Sequence, residues 1–163
     1  MADRFFGTFS PRLDDKGRLT LPARYRDSFK AGAMVVRGRS RCLYVFTPDG
    51  FEQFAQQAIN ADVADTAAIG PARYMLANSD EQTPDAQGRI LLTTRMREFA
   101  GLSRDVVLTG QGHRMEIWDA DRWAAYEADQ EAGYVDPDSS GSAAPSAVRA
   151  AGSAPGTAPG AAE

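Results

Sequence analysis

The residues best suited to chemistry in this chain come as a device used twice. Asp14-Asp15-Lys16-Gly17-Arg18 returns 71 residues later as Asp85-Ala86-Gln87-Gly88-Arg89. Both copies read Asp-x-x-Gly-Arg and lead into an alternating apolar run, RLTLP and RILLT. Glycine at the fourth place suits a tight turn that needs positive φ. The aspartate at the turn's start can accept hydrogen bonds from backbone N–H groups within it. The arginine then emerges on the first residue of a strand, pointing away from the inward Leu19 and Leu21. Arginine suits bidentate contact with phosphate or with the guanine edge. The other reading is an Asp14–Arg18 ion pair across the turn, a contact that contributes only ~0–1 kcal/mol at a surface. The two are compatible, because the carboxylate can orient the guanidinium for a ligand.

The repeat runs on. Leu19, Leu21, Arg24 and Arg26 match Ile90, Leu92, Arg95 and Arg97 at the same offset, and Val35-Val36 matches Val106-Val107. One inserted residue later, Leu43–Phe46 meets Met115–Trp118 and Phe51 meets Trp123. Each unit reads as strand, short helix, strand, strand and closing helix. Pro22 can open the first short helix, and Thr93 or Thr94 can cap its counterpart. A unit of this size buries too little surface to stand alone, so two units are expected to cover each other's apolar faces. The division expected is residues 7–50 as unit one, 51–78 as a helical connector, 79–122 as unit two and 123–137 as a C-terminal helix. Of the last 26 residues (138–163), 22 are Ala, Gly, Ser, Pro or Thr, which predicts a disordered tail.

Charge distribution matters more than its total. The formal net charge is −4. Residues 1–46 nevertheless carry ten Arg/Lys against four acids, whereas 47–72 carry four acids and no base. A local basic region on an acidic protein is the footprint of a nucleic-acid binder, although an ordinary solvated surface is equally compatible with it. Lys16, Arg18, Arg24 and Arg26 are the expected DNA contacts, Arg18 being the one best placed for a base edge. Asp14 and Gly17 of the first motif and Asp85, Gly88 and Arg89 of the second complete the expected DNA-binding set, although the second motif lies in near-neutral surroundings that also suit packing or subunit contact.

Other chemistry is weakly signalled. The sole cysteine, Cys42, sits in the apolar run CLYVF and is expected to be a buried, inert thiol. With no second cysteine, a reducing cytoplasm is expected. The lone histidine, His113, in GQGHRM suggests neither a metal site nor a catalytic triad. No phosphate-cradling loop is present and no run is long and apolar enough to span a membrane. Neither an enzyme, a cofactor, a small-molecule substrate nor a membrane is expected.

The segments FFGTFSPRLDDKGRLTLPARYRDSF (5–29), DAQGRILLTTRMREFAGL (85–102) and MEIWDADRW (115–123) resemble the MraZ family, the likeness covering about residues 4–130. The resemblance implies an α+β, mainly β fold of two AbrB-like units with a swapped-hairpin, barrel-like core. It implies ring-shaped homo-oligomers, association with the nucleoid, and repression of a cell-division and cell-wall gene cluster through tandem promoter boxes. It carries the motif roles onto Asp14 and Arg18 and onto Asp85 and Arg89. Tandem boxes on double-stranded DNA would engage several subunits at once and multiply affinity through effective concentration. The alternative reading is a ring-forming structural or protein-interaction protein without specific DNA binding.

Overall fold

The computed structural model describes residues 3–64, 67 and 69–134; the tail expected to be disordered lies outside the described residues. Strand β1 (Thr8–Phe9) is followed by β2 (Arg18–Thr20), a 3-10 helix (Ala23–Phe29), β3 (Ala33–Arg37), β4 (Leu43–Phe46) and α1 (Pro48–Ala64). Helix α2 (Ile69–Ala77) leads to β5 (Ser79–Gln82), then β6 (Arg89–Leu91), α3 (Thr94–Ala100), β7 (Val106–Gly110), β8 (Met115–Asp119) and α4 (Ala120–Gly133). From β2 and from β6 onward the two halves thus repeat strand, short helix, strand, strand, helix.

Local chemistry accounts for the boundaries. Pro22 stands one residue before the 3-10 helix at φ −56° and ψ 134°, extended rather than helical. Thr93 caps α3, its Oγ1 accepting from the Met96 N–H at 3.4 Å, and Gly101 closes the helix in the left-handed region.

Six strands form one antiparallel sheet in the order β1-β7-β8-β4-β3-β5. Each unit's entering strand pairs with the other unit's hairpin: β1 lies on β7 and β5 on β3. The remaining two strands, β2 and β6, form a separate antiparallel ribbon. Sheet and helices together make the fold α+β. Among the described residues, β1 and β5 are the sheet's two edges, and the ribbon's strands pair with each other.

Two apolar layers hold this together. Leu19, Leu21, Ile90 and Leu92 of the ribbon pack with Val35, Val45, Leu108 and Ile117 of the sheet, and Phe29, Met96 and Ala100 join them. On the opposite side, Val36, Tyr44, Phe46 and Trp118 pack with Phe51, Phe54, Met75 and Trp123. Both faces of β4 and β8 are therefore covered, and every residue of these strands is buried.

The pairing registers refine the repeat. Leu19 faces Ile90 at the ribbon's centre, an offset of 71, and Tyr44 faces Glu116 where the halves of the sheet meet, an offset of 72. Between them, Val35↔Val45 corresponds to Leu108↔Ile117, which sets β3 against β7 at 73. The match of Val35-Val36 to Val106-Val107 was therefore two residues out of register. The second unit has a longer path from its short helix into β7 and a shorter β7–β8 loop, so the two length changes nearly cancel in sequence.

Candidate nucleic-acid interface

The two motifs lie on one ribbon. Antiparallel pairing sets Arg18 opposite Leu91, Leu19 opposite Ile90 and Thr20 opposite Arg89. The Leu92 N–H donates to the Gly17 carbonyl and the Leu21 N–H to the Gly88 carbonyl, both at 2.9 Å. That phase leaves 18/91 and 20/89 as the non-hydrogen-bonded pairs, in which side chains stand closest. Leu19 and Ile90 turn inward and are fully buried. Arg18, Thr20, Arg89 and Leu91 consequently share the outer face, each at least partly exposed. A two-stranded ribbon of this kind is narrow enough for the DNA major groove.

Each turn is closed by its aspartate. Asp14 Oδ1 accepts from the N–H groups of Lys16 (2.9 Å) and Arg18 (2.8 Å), while Oδ2 accepts from Arg18 Nε at 2.6 Å. Asp85 does the same with Gln87 (3.0 Å), the Arg89 N–H (2.9 Å) and Arg89 Nε (2.7 Å). The backbone N–H of the motif arginine, chiefly, holds each carboxyl below its ordinary value of 3.8; partial desolvation opposes this, and the guanidinium adds to it. Both aspartates thus stay ionised and fix their arginines by Nε alone.

The ends of the guanidinium groups differ. Among the described residues, neither terminal nitrogen of Arg18 has a hydrogen-bond partner, so both are available to a ligand. Arg89 is more engaged: Nη2 donates to Gln87 Oε1 at 3.2 Å, and Nη1 lies 3.9 Å from Asp14 Oδ2. Lys16, exposed at the tip of the first turn, adds a cation for which the second turn has Gln87.

The glycines carry a second constraint that spacing did not reveal. Gly17 (φ +77°) lies under Arg97 of the other unit, and Gly88 (φ +74°) under Arg26. A Cβ would come within 2.8 Å of Arg97 Nε in the first case and 2.6 Å of Arg26 Cδ in the second. Each of these arginines also donates through Nε, at 3.1 Å, to the buried leucine directly after its own unit's ribbon strand: Arg26 to the Leu21 carbonyl and Arg97 to that of Leu92. Arg26 is thereby committed to clamping the opposite turn. Its counterpart Arg97 was visible only as a repeat position.

Arg24 is exposed but sits apart from the ribbon, donating to the Phe6 carbonyl and lying over the rings of Phe9 and Tyr25. Arg37 and Arg41 lie elsewhere, over Phe99. The basic first half is therefore divided among separate places: Lys16 and Arg18 stand at the first turn of the ribbon, and Arg26 lies over the second.

Cys42 is buried, and burial pushes its thiol up to about 12. The exposed His113 is held below its ordinary value by desolvation and by Arg114, whose Nη1 lies 3.1 Å from the ring. Among the described residues, no group of three metal-binding side chains converges, and no helix is long and apolar enough to cross a membrane.

The family described as "MraZ protein, putative antitoxin-like" matches the chain twice, over residues 4–70 and 75–141. Among its relatives are proteins called transcriptional regulator MraZ. That of Saccharopolyspora erythraea is 45% identical over 131 residues, covering 80% of this chain and 92% of the relative. That of Thermobifida fusca is 47% identical over 127 residues, covering 78% and 89%. That of Micrococcus luteus is 41% identical over 134 residues, covering 82% and 94%. With two matches that each contain one Asp-x-x-Gly-Arg turn, and with these identities along most of its length, the chain belongs to the MraZ family.

Proposed function

We propose that this protein is a sequence-specific regulator of transcription that reads double-stranded DNA with the outer face of its β2–β6 ribbon. The observation that carries the reading is the state of Arg18. Its Nε is locked to an ionised Asp14, while among the described residues neither terminal nitrogen of this partly exposed side chain has a hydrogen-bond partner. A guanidinium held by one edge is pre-organised to present the other to the O6/N7 edge of guanine, so little side-chain entropy is lost on binding. Lys16 supplies phosphate attraction beside it. The names of the relatives point the same way.

The finer reading follows the family. The swapped pairing of β1 and β5 supports AbrB-like units. The targets are tandem promoter boxes of a cell-division and cell-wall gene cluster, repressed by a ring of subunits on the nucleoid in the cytoplasm. Arg26 acts through the turn it clamps, and Arg24, apart from the ribbon, is left to contact the DNA backbone. No catalysis, cofactor or membrane enters this reading.

A selection from a random duplex pool with the full chain tests it. The expected result is enrichment of a short G-containing motif whose binding is lost in Arg18→Ala. A pool that stays unenriched, with binding insensitive to Arg18, would favour the protein-interaction reading.

A further inference from the structure

The ribbon is two-fold symmetric in its arginines but not in what stands beside them. Position 20 corresponds to position 91 at the ribbon's offset of 71, yet one is threonine and the other leucine. Leu91 is 43% exposed, on the same outer face as Arg18 and directly opposite it in the non-hydrogen-bonded register. The turns differ in the same sense: Lys16 stands where the second turn has Gln87, and Gln87 occupies a terminal nitrogen of Arg89. One end of the reader therefore offers a free guanidinium beside an aliphatic side chain and a lysine. The other offers a partly occupied guanidinium beside a hydroxyl.

We infer that Leu91 is a specificity-determining residue that packs on a thymine methyl next to the guanine read by Arg18, giving the ribbon one orientation on DNA. This inference rests on the ribbon being the DNA reader. The thymine C5-methyl is the one apolar group that the bases present in the major groove, and an exposed leucine on a reading face has no hydrogen bond to offer in its place. Facing side chains of a non-hydrogen-bonded pair stand about 5 Å apart at Cβ, close enough to meet neighbouring base pairs. Thr20 at the pseudo-symmetric place can donate or accept, so the two ends ask for different base steps. A directional box follows, and direct repeats of it suit a reader that is not itself two-fold in its contacts.

The test uses the full chain and a single-box duplex recovered from a random pool, with binding followed by fluorescence anisotropy. Each thymine is replaced in turn by deoxyuridine, which removes only the methyl. Wild-type affinity is expected to fall about fourfold at one position next to a guanine and little elsewhere, as for loss of one buried methyl. Leu91→Ala is expected to bind the thymine duplex more weakly and to be indifferent to uridine at that position. Its thermal midpoint, measured alongside, should match the wild type because the side chain lies outside both cores. If uridine costs Leu91→Ala as much as the wild type, or costs neither protein anything, the inference is overturned even though specific binding that requires Arg18 keeps the ribbon as reader. If no duplex binds specifically, the functional reading fails and this inference with it.

Discussion

Arg97 lies across Gly17, its Nε 2.8 Å from where a Cβ would be, so the second unit's short helix holds down the first unit's turn. Arg26 does the same to Gly88, which makes the clamp reciprocal. Each turn is thus built by one repeat and seated by the other.

Gly17→Ala should destabilise the fold by ~2–3 kcal/mol, combining a positive-φ penalty with displacement of Arg97 from the Leu92 carbonyl. Adding Arg97→Ala should remove the collision and leave about 1 kcal/mol of the glycine's effect, since the φ strain remains. Urea unfolding of the two single variants and the double variant checks this. Additive losses would mean that the clamp is not a contact of energetic weight.

The acid limb of stability should report the two aspartates. Both carboxyls are held below 3.8 when folded, so their contribution is complete above about pH 4 and is lost as pH falls through the lowered folded values. Thermal midpoints of the wild type should therefore drop steeply below pH 4. Asp14→Asn with Asp85→Asn should give a lower midpoint at pH 7 and a flatter acid limb. An unchanged slope would place the acid sensitivity in other carboxylates.

Cys42 should resist thiol reagents. With burial pushing its thiol up to about 12, almost none is thiolate at pH 8, and the sulfur is not accessible. A disulfide-exchange reagent should leave the folded protein unmodified over minutes and label one thiol per chain when denaturant is added. Rapid labelling of the native protein would contradict the packing beneath β4.

Much of this architecture was legible because repetition and alternation are strong signals. RLTLP and RILLT announced two half-buried strands with their inward residues named correctly, and the cap of α3 was narrowed to Thr93 or Thr94, of which Thr93 serves. What spacing could not supply was partnership. Nothing in the local sequence says that residue 18 faces 91, because the pairing joins segments 71 positions apart. The roles of Arg26 and Arg97 depend on that pairing, as does the place of Leu91, and all were therefore hidden. The register error in β7 has a related cause: Val106-Val107 resembles Val35-Val36 in composition, and side-chain type alone cannot count residues across a loop. The basic first half misled in another way, since linear clustering grouped Arg24, Arg37 and Arg41 with the motif when the fold places Arg24 over Phe9 and Tyr25, and Arg37 and Arg41 over Phe99.

The proposed oligomeric reading makes avidity the quantity to measure. Two boxes in phase should bind far more tightly than one, and the log–log salt slope should steepen in step, at about −0.9 per additional phosphate contact. A half-turn insertion of roughly 5 base pairs should abolish the gain by moving the second box to the opposite face. Equal affinity and slope for one and two boxes would show that a single subunit suffices.

The central claim is that a guanidinium locked by Asp14 reads a base edge. Affinity of wild type, Arg18→Ala, Arg18→Lys and Arg89→Ala for a selected single-box duplex, against the same duplex with its central guanine changed, tests it most directly. Arg18→Ala should lose roughly 10- to 100-fold of the discrimination between the two duplexes, as expected for one bidentate contact. Arg18→Lys should fail to restore it, lacking the planar fork that both Asp14 and guanine require. Arg89→Ala should lose less, because its terminal nitrogens are already drawn to Gln87 and Asp14. Full discrimination by folded Arg18→Ala, or equal losses at Arg18 and Arg89, would contradict the account.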